Sequence, residues 1–305
     1  MRNWRMLLPL AAVLVLVLAG CDAAASGLQS GVYNANRSLA QSAEITINMP
    51  VENGHIDAIT TNGINVLEAR IEYLGAIDFS VSGDAQRVVT LSEDTQGRVI
   101  PEGSAPRWDL RVTNGIPVDL KLTHGGTLTG TLARLNLASL ELTQTSGMTN
   151  LVLPGTAFDV PALTLNAGNM TLIAGRGAAF AAAVIVNGGE LVFNVQENAP
   201  VQVNVLSSAA GAAVNLPESY GTGIEADGVT TFQSVAFSAD APAIVLNLTV
   251  NGGTVTVQYP EPPAEEIPAE ATSEPEADPA AEATADPAAE PDAEATAEPE
   301  TETSE

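Results

Sequence analysis

Alternating apolar tripeptides recur along the middle of this chain. Leu120-Lys121-Leu122, Leu140-Glu141-Leu142, Leu163-Thr164-Leu165, Val184-Ile185-Val186 and Val203-Asn204-Val205 begin 20, 23, 21 and 19 residues apart. A second series falls between them: Leu151-Val152-Leu153, Met170-Thr171-Leu172, Leu191-Val192-Phe193 and Val214-Asn215-Leu216. Turn residues keep step at Gly125-Gly126, Ser146-Gly147, Gly168-Asn169, Asn187-Gly188-Gly189 and Gly211. Alternation with period two is the signature of a half-buried strand. Two short strands and a turn cannot bury a face alone, so each unit needs its neighbours stacked on it. The expected fold is therefore all-β, a single-domain β-solenoid of about twenty-residue coils. The same glycine turns also suit hairpins, which makes an antiparallel β-sandwich the alternative. Asn251-Gly252-Gly253, between the runs 244–250 and 254–259, fits a hairpin and is expected to close the end of the stack. In a solenoid with coils in register, Leu120, Leu140 and Leu163 form one interior ladder and Leu122, Leu142 and Leu165 another. Lys121 then points outward beside Glu141.

The flanks of this region have a different character. Residues 261–305 contain sixteen acids, no base and, apart from Ile267, only Pro, Ala, Glu, Asp, Thr and Ser. Such a segment has too little apolar surface to offset chain entropy and is expected to be disordered. Residues 22–43, rich in Ala, Ser, Asn and Gln, read as a flexible spacer, and the folded body is expected to span 44–260. At the start stand Arg2, Arg5, an apolar run from Met6 to Leu18, and then Leu18-Ala19-Gly20-Cys21. Thirteen apolar residues are too few to span a bilayer, and small residues precede a cleavage point. Residues 1–20 resemble a bacterial lipoprotein signal peptide, and Cys21, the single cysteine of the chain, stands at the lipidated position of the lipobox. That resemblance implies an exported protein whose Cys21 carries diacylglycerol and a fatty acyl group such as palmitate. It would be tethered to a bacterial membrane and face the periplasm or the cell surface. Several acyl chains together anchor stably where one does not.

Arg107-Trp108-Asp109-Leu110, residues 117–122 and 137–142, and Leu151-Val152-Leu153-Pro154 resemble the repeated strand pattern of toast-rack domains of bacterial envelope proteins. These include adhesin-type domains and the C-terminal domain of cell-wall-active antibiotic response proteins. The resemblance runs over about 50–259 and implies a β-solenoid-like surface domain with no catalytic residues to carry over. Family members often have an acid in a Gly-x-Gly-Asp-like turn, which His124-Gly125-Gly126-Thr127 and Thr145-Ser146-Gly147-Met148 lack.

Reactive constellations are sparse. The formal net charge is −26, and the body between the signal and the tail is itself acidic, which argues against nucleic acid or an anionic lipid surface as partner. With one cysteine there is no intrachain disulfide, and packing alone must hold the body. His55 and His124 have no companion ligands at metal-binding spacing, and His124 beside Gly125-Gly126 is expected to be a solvated loop residue. Lys121, the only lysine, is expected on the surface. Asp78 with Asp84, and Glu93 with Asp94, are the carboxylate pairs that a polysaccharide-active β-helix would use, and both read as solvated loop acids. The Gly-Gly turns carry too few acids for calcium. The expectation is no catalytic residue, no metal and no cofactor. It leads to a non-enzymatic, lipid-anchored envelope module, adhesion-like or an envelope-stress interaction protein, with an envelope protein or a glycan as partner. A polysaccharide-active β-helix enzyme or a carbohydrate-binding module is the alternative.

Overall fold

The computed structural model describes residues 27–50, 53–59, 63–95, 97 and 100–260. In chain order the strands begin with β1 (Gln29–Asn36), β2 (Ser42–Met49), β3 (Asn53–Ala58), β4 (Asn65–Tyr73), β5 (Ala76–Ser82), β6 (Gln86–Asp94) and β7 (Arg107–Val112). Four units of one longer and one shorter strand follow: β8 (Val118–His124) with β9 (Thr127–Thr131), β10 (Leu137–Gln144) with β11 (Met148–Val152), β12 (Asp159–Leu165) with β13 (Asn169–Ile173), and β14 (Phe180–Val186) with β15 (Glu190–Asn194). The rest comprises β16 (Val201–Ser208), β17 (Ala213–Asn215), a single 3-10 turn at Glu218–Tyr220, β18 (Ile224–Ala226), β19 (Val229–Gln233), β20 (Ile244–Val250) and β21 (Thr254–Gln258). The protein is all-β, as expected.

The strands form two large mixed sheets, and neither closes into a barrel. One runs β1-β4-β7-β3-β9-β11-β13-β15-β21-β17 and the other β18-β19-β16-β20-β14-β12-β10-β8-β2-β6-β5. Each unit gives one strand to each sheet, so its glycine turn crosses between the sheets. Within the sheets β8, β10, β12 and β14 pair in parallel, as do β9, β11, β13 and β15. Antiparallel pairs occur only among the outer strands: β1 with β4, β4 with β7, β5 with β6, and β19 with β16 and β18.

The last strand pair does not cap the stack. β20 lies between β14 and β16, and β21 between β15 and β17, so Asn251-Gly252-Gly253 links the two sheets and closes no hairpin. Burial explains the insertion. All four inward residues of β20, Ile244, Leu246, Leu248 and Val250, are buried, whereas β16 becomes exposed beyond Val205. The strand whose inward face is apolar and buried along its whole length takes the interior place, and the one that becomes polar and exposed takes the outer. The other end repeats the device, with β2 between β6 and β8 and β3 between β7 and β9.

Inward residues of both sheets merge into one cluster whose largest fully buried members are Trp108 and Phe193. The expected ladders hold for their first step, with Leu120 opposite Leu140 and Leu122 opposite Leu142. The next step differs: Leu142 faces Leu163, and Leu165 faces Gln144. Ser139 pairs with Asp159 and Glu141 with Ala162, so β12 carries one extra residue around Pro161, a bulge at a residue that has no N–H to give. The bulge lengthens the spacing of partners from 20 to 21 residues, and the 23-residue gap between Leu140 and Leu163 exceeds it by two, so Leu163 pairs one alternation later, with Leu142. The body also begins earlier than expected. Gln29–Asn36 and the start of β2 fall inside the stretch read as spacer, because Gly31, Tyr33 and Ala35 alternate inward and Tyr33 stacks edge-on against Phe79 of β5, ring centroids 5.3 Å apart.

Candidate interaction surface

Among the described residues, a polar cluster of the interior is built from three adjacent units. His124 ends β8, Gln144 lies opposite it at the end of β10, and Thr149 of β11 faces them from the other sheet; all three are buried. The Gln144 amide donates through Nε2 to the carbonyls of Gly147 and Ala167, at 2.9 Å each, which leaves its Oε1 to accept from the Thr149 hydroxyl at 2.6 Å. The Thr149 oxygen therefore accepts from His124 Nε2–H at 2.7 Å, which fixes the tautomer. Nδ1 faces the Gly126 carbonyl at 3.2 Å. His124 is thus a core residue and not a solvated loop histidine. With the proton on Nε2, Nδ1 can donate to Gly126 only when the ring is protonated; Gln144, Thr149 and His124 Nε2 satisfy one another, and the arrangement fits only one register of the three units.

Burial drives the His124 pKa down to about 4, against a weaker pull upward from the Gly126 carbonyl. The unfolded chain takes up its proton near the ordinary value of 6.5, the fold only near 4, so the unfolded state binds more protons between these values. Stability is fully present above about pH 6.5 and is lost as pH falls. The loss between pH 7 and pH 5 is expected to be about 2 kcal/mol. A proton-NMR titration should show the His124 ring unprotonated at pH 5; an ordinary midpoint would contradict this account.

Outward positions form long rows across the strands. On the second sheet Asn48, Thr123, Thr143 and Thr164 lie side by side, followed by Ile185 and Thr249. Lys121 sits on this face, with its ammonium 3.0 Å from Glu44 and 3.8 Å from Glu141. The hydrogen bond to Glu44, and then its charge, raise the Lys121 pKa. Lys121 points outward as expected and is half-exposed, but Glu44 is a closer partner than Glu141.

The first sheet carries a charged mosaic at its β1 end. Glu68, Arg70 and Glu72 alternate outward on β4, Arg107, Asp109 and Arg111 on β7, and His55 and Asp57 on β3. Opposite charges stand across from one another: Arg70 faces Asp109, and Arg111 faces Glu68 and Asp57. Among the described residues no carboxylate comes within ion-pair distance of these arginines. Ser30, Val32, Arg70, Glu72, Arg107 and Asp109 line a shallow open groove of about 570 Å³. Reading for reactive motifs missed this mosaic, although its signal, charges alternating with Leu67, Ala69, Ile71, Trp108 and Leu110, was present. Among the described residues His55 is hydrogen-bonded to Thr129 Oγ1, at 3.3 Å.

The carboxylate pairs part company. Asp78 and Asp84 are exposed, Asp78 on β5 and Asp84 in the following turn. Glu93, in contrast, is buried: its Oε1 accepts from the backbone N–H of Leu74 and Gly75, both at 2.7 Å, and so ties the β4–β5 turn to β6. It is a structural anchor, not a solvated loop acid. Among the described residues no cluster of three or more His, Cys, Asp or Glu is placed to hold a metal ion. Cys21 and the 261–305 tail lie outside the described residues.

Neither a family description nor a curated protein sequence matches the chain. Among solved structures it is similar to one described as a putative cell adhesion protein of Clostridium sporogenes, at 14% identity and a TM-score of 0.51, covering 77% of this chain and 100% of that one. Putative adhesins of Bacteroides fragilis and Parabacteroides merdae follow at 11% and 10% identity, with TM-scores of 0.30 and 0.27 over 77% and 76% of this chain and 99% and 96% of theirs. The first of these likenesses concerns the fold, and the other two are too distant to carry an argument.

Proposed function

We propose that this chain is an exported, lipid-anchored β-solenoid that acts as an adhesion-like interaction module on a bacterial envelope, without catalysing a reaction. The carrying observation is the outer face of the second sheet, where Asn48, Thr123, Thr143 and Thr164 present hydroxyl and amide groups in a row. With strands about 4.8 Å apart, such a row offers one polar group per strand to an extended, repetitive ligand such as an envelope glycan. Parallel pairing of four consecutive units supports the solenoid reading, although two facing sheets are also what a sandwich has. The fold shared with the clostridial putative cell adhesion protein supports the adhesive one. Arginine side chains at Thr143 and Thr164 should weaken binding of the purified full chain to envelope fractions by at least about tenfold, with folding unchanged. Undiminished binding would reject this face.

Anchoring is tested separately. Seven residues separate Cys21 from β1, against the twenty-two of the expected spacer, so a lipid on Cys21 would leave at most about 25 Å of chain between the membrane and β1. Cys21→Ser is expected to move the protein from the membrane to the soluble fraction or leave it unprocessed. An unchanged, processed, membrane-bound form would exclude the lipid.

A further inference from the structure

Strand β1 ends the first sheet and pairs on one side only, with β4. Its other side presents a row of backbone donors and acceptors with no strand against it among the described residues. Natural sheets blunt such an edge with charge, proline or shortness. The remaining edges here are blunted: β17 and β18 have three residues each, and β5 carries Asp78 with Asp84 in the turn beyond. β1 is different. Its eight residues, Gln29-Ser30-Gly31-Val32-Tyr33-Asn34-Ala35-Asn36, contain no charge and no proline, and its central outward side chain, Val32, is 66% exposed.

The strand is also complementary to itself. Pairing it antiparallel with a second copy about a two-fold axis at Val32 sets Val32 against Val32 of the second copy. On the outward face each Ser30 then lies opposite an Asn34, so that an apolar pair is flanked by two hydroxyl–amide pairs. On the inward face the smallest residue, Gly31, meets the largest, Tyr33, and Gln29 meets Ala35. Charge does not oppose the contact despite the net −26. The nearest outward charges, Glu68, Arg70 and Glu72, sit on β4 and are held three strand spacings, about 14 Å, from their counterparts, beyond the screening length at physiological salt.

We infer that this chain self-associates through β1, forming a two-fold dimer in which the two ten-stranded sheets join edge to edge at Val32. The contact is isologous and closes on itself, so it yields a dimer and not a fibre.

The test uses the full chain in detergent micelles, with mass measured by sedimentation equilibrium over a range of concentrations. The expected result is a monomer–dimer equilibrium. Val32→Lys places two ammonium groups at the axis and should weaken the dimer at least tenfold, while Val235→Lys, at a site 88% exposed in another part of the fold, should leave it unchanged. An unaltered melting curve for both variants shows that the fold survives. In a Cys21→Ser background, which removes any influence of the anchor, Val32→Cys should form a disulfide-linked dimer on mild oxidation. Residues directly opposite in an antiparallel pair have Cα atoms about 4.5–5.5 Å apart, within disulfide reach. Leu39→Cys, which is also exposed, should not. A monomer at every concentration overturns the inference. So does a dimer indifferent to Val32→Lys, which would place the contact elsewhere, or an edge that is occupied by other residues of the chain or by a foreign peptide and leaves Val32→Cys uncrosslinked.

Discussion

Gly168→Ala is expected to destabilise the fold by about 4 kcal/mol, although it adds one methyl group at a turn. Gly147, Gly168, Gly189 and Gly253 occupy equivalent places in successive turns, with φ of 81, 89, 87 and 80°. The turns stack through their own backbone: Asn169 N–H donates to the Gly147 carbonyl at 3.1 Å, Glu190 to that of Gly168 at 2.9 Å, and Thr254 to that of Gly189 at 2.9 Å. A Cβ at Gly168 would run into the Gly147 carbonyl oxygen and come within 2.8 Å of Gln144 Nε2. The carbonyl cannot yield without breaking the hydrogen bond that joins two units, and Gln144 cannot yield without releasing Thr149 and His124. The left-handed backbone adds its own cost for any residue with a Cβ. Gly211→Ala is the comparison. That glycine has φ of 88° with nothing within 4 Å of an added methyl, so only the backbone cost of about 1 kcal/mol should appear. Urea denaturation of the two variants measures the difference, and equal losses would show that close stacking of the turns contributes little.

Leu142→Ala is expected to cost about 3–5 kcal/mol. Leu142 is fully buried between Leu122 and Leu163, its neighbours on the adjoining strands, in the middle of the row that continues to Val184 and Leu248. Backbone hydrogen bonds on both sides hold these strands at a fixed spacing, so they cannot close over the missing atoms and a cavity remains. Glu141, one residue away on the same strand, points outward and makes only the looser of the two contacts to Lys121. Glu141→Ala should change stability by less than about 0.5 kcal/mol. Thermal or urea unfolding of the pair is a direct test of which face is which, and a similar loss for both would contradict the alternation.

That alternation, and the glycines that interrupt it, were legible without coordinates. Leu120-Lys121-Leu122 and Leu140-Glu141-Leu142 declare which side chains are inward, and the even spacing of their first step places Leu120 against Leu140 and Leu122 against Leu142. Lys121 was readable as a surface residue for the same reason. The charged mosaic was present in the pattern of β4 and β7 and passed unnoticed, because its residues belong to no reactive motif and gain meaning only when two strands distant in the chain are laid side by side.

The sequence by itself determined the class of structure, the inward and outward faces and the glycine turns, because these depend on period two and on backbone conformations that few residues adopt. Only the tertiary structure decided which unit lies beside which. A strand that alternates correctly can pair with any other that alternates, so the placing of β20 between β14 and β16, and of β2 between β6 and β8, was settled by how much apolar surface each strand must bury. The bulge at Pro161, the recruitment of residues 29–36 into the body and the burial of His124 have the same origin. A histidine next to two glycines looks solvated until Gln144 and Thr149, 20 and 25 residues further along the chain, close around it and satisfy its ring nitrogen. Contacts made across the stack are invisible to any local pattern, and it is their sum that fixes the order of the sheets.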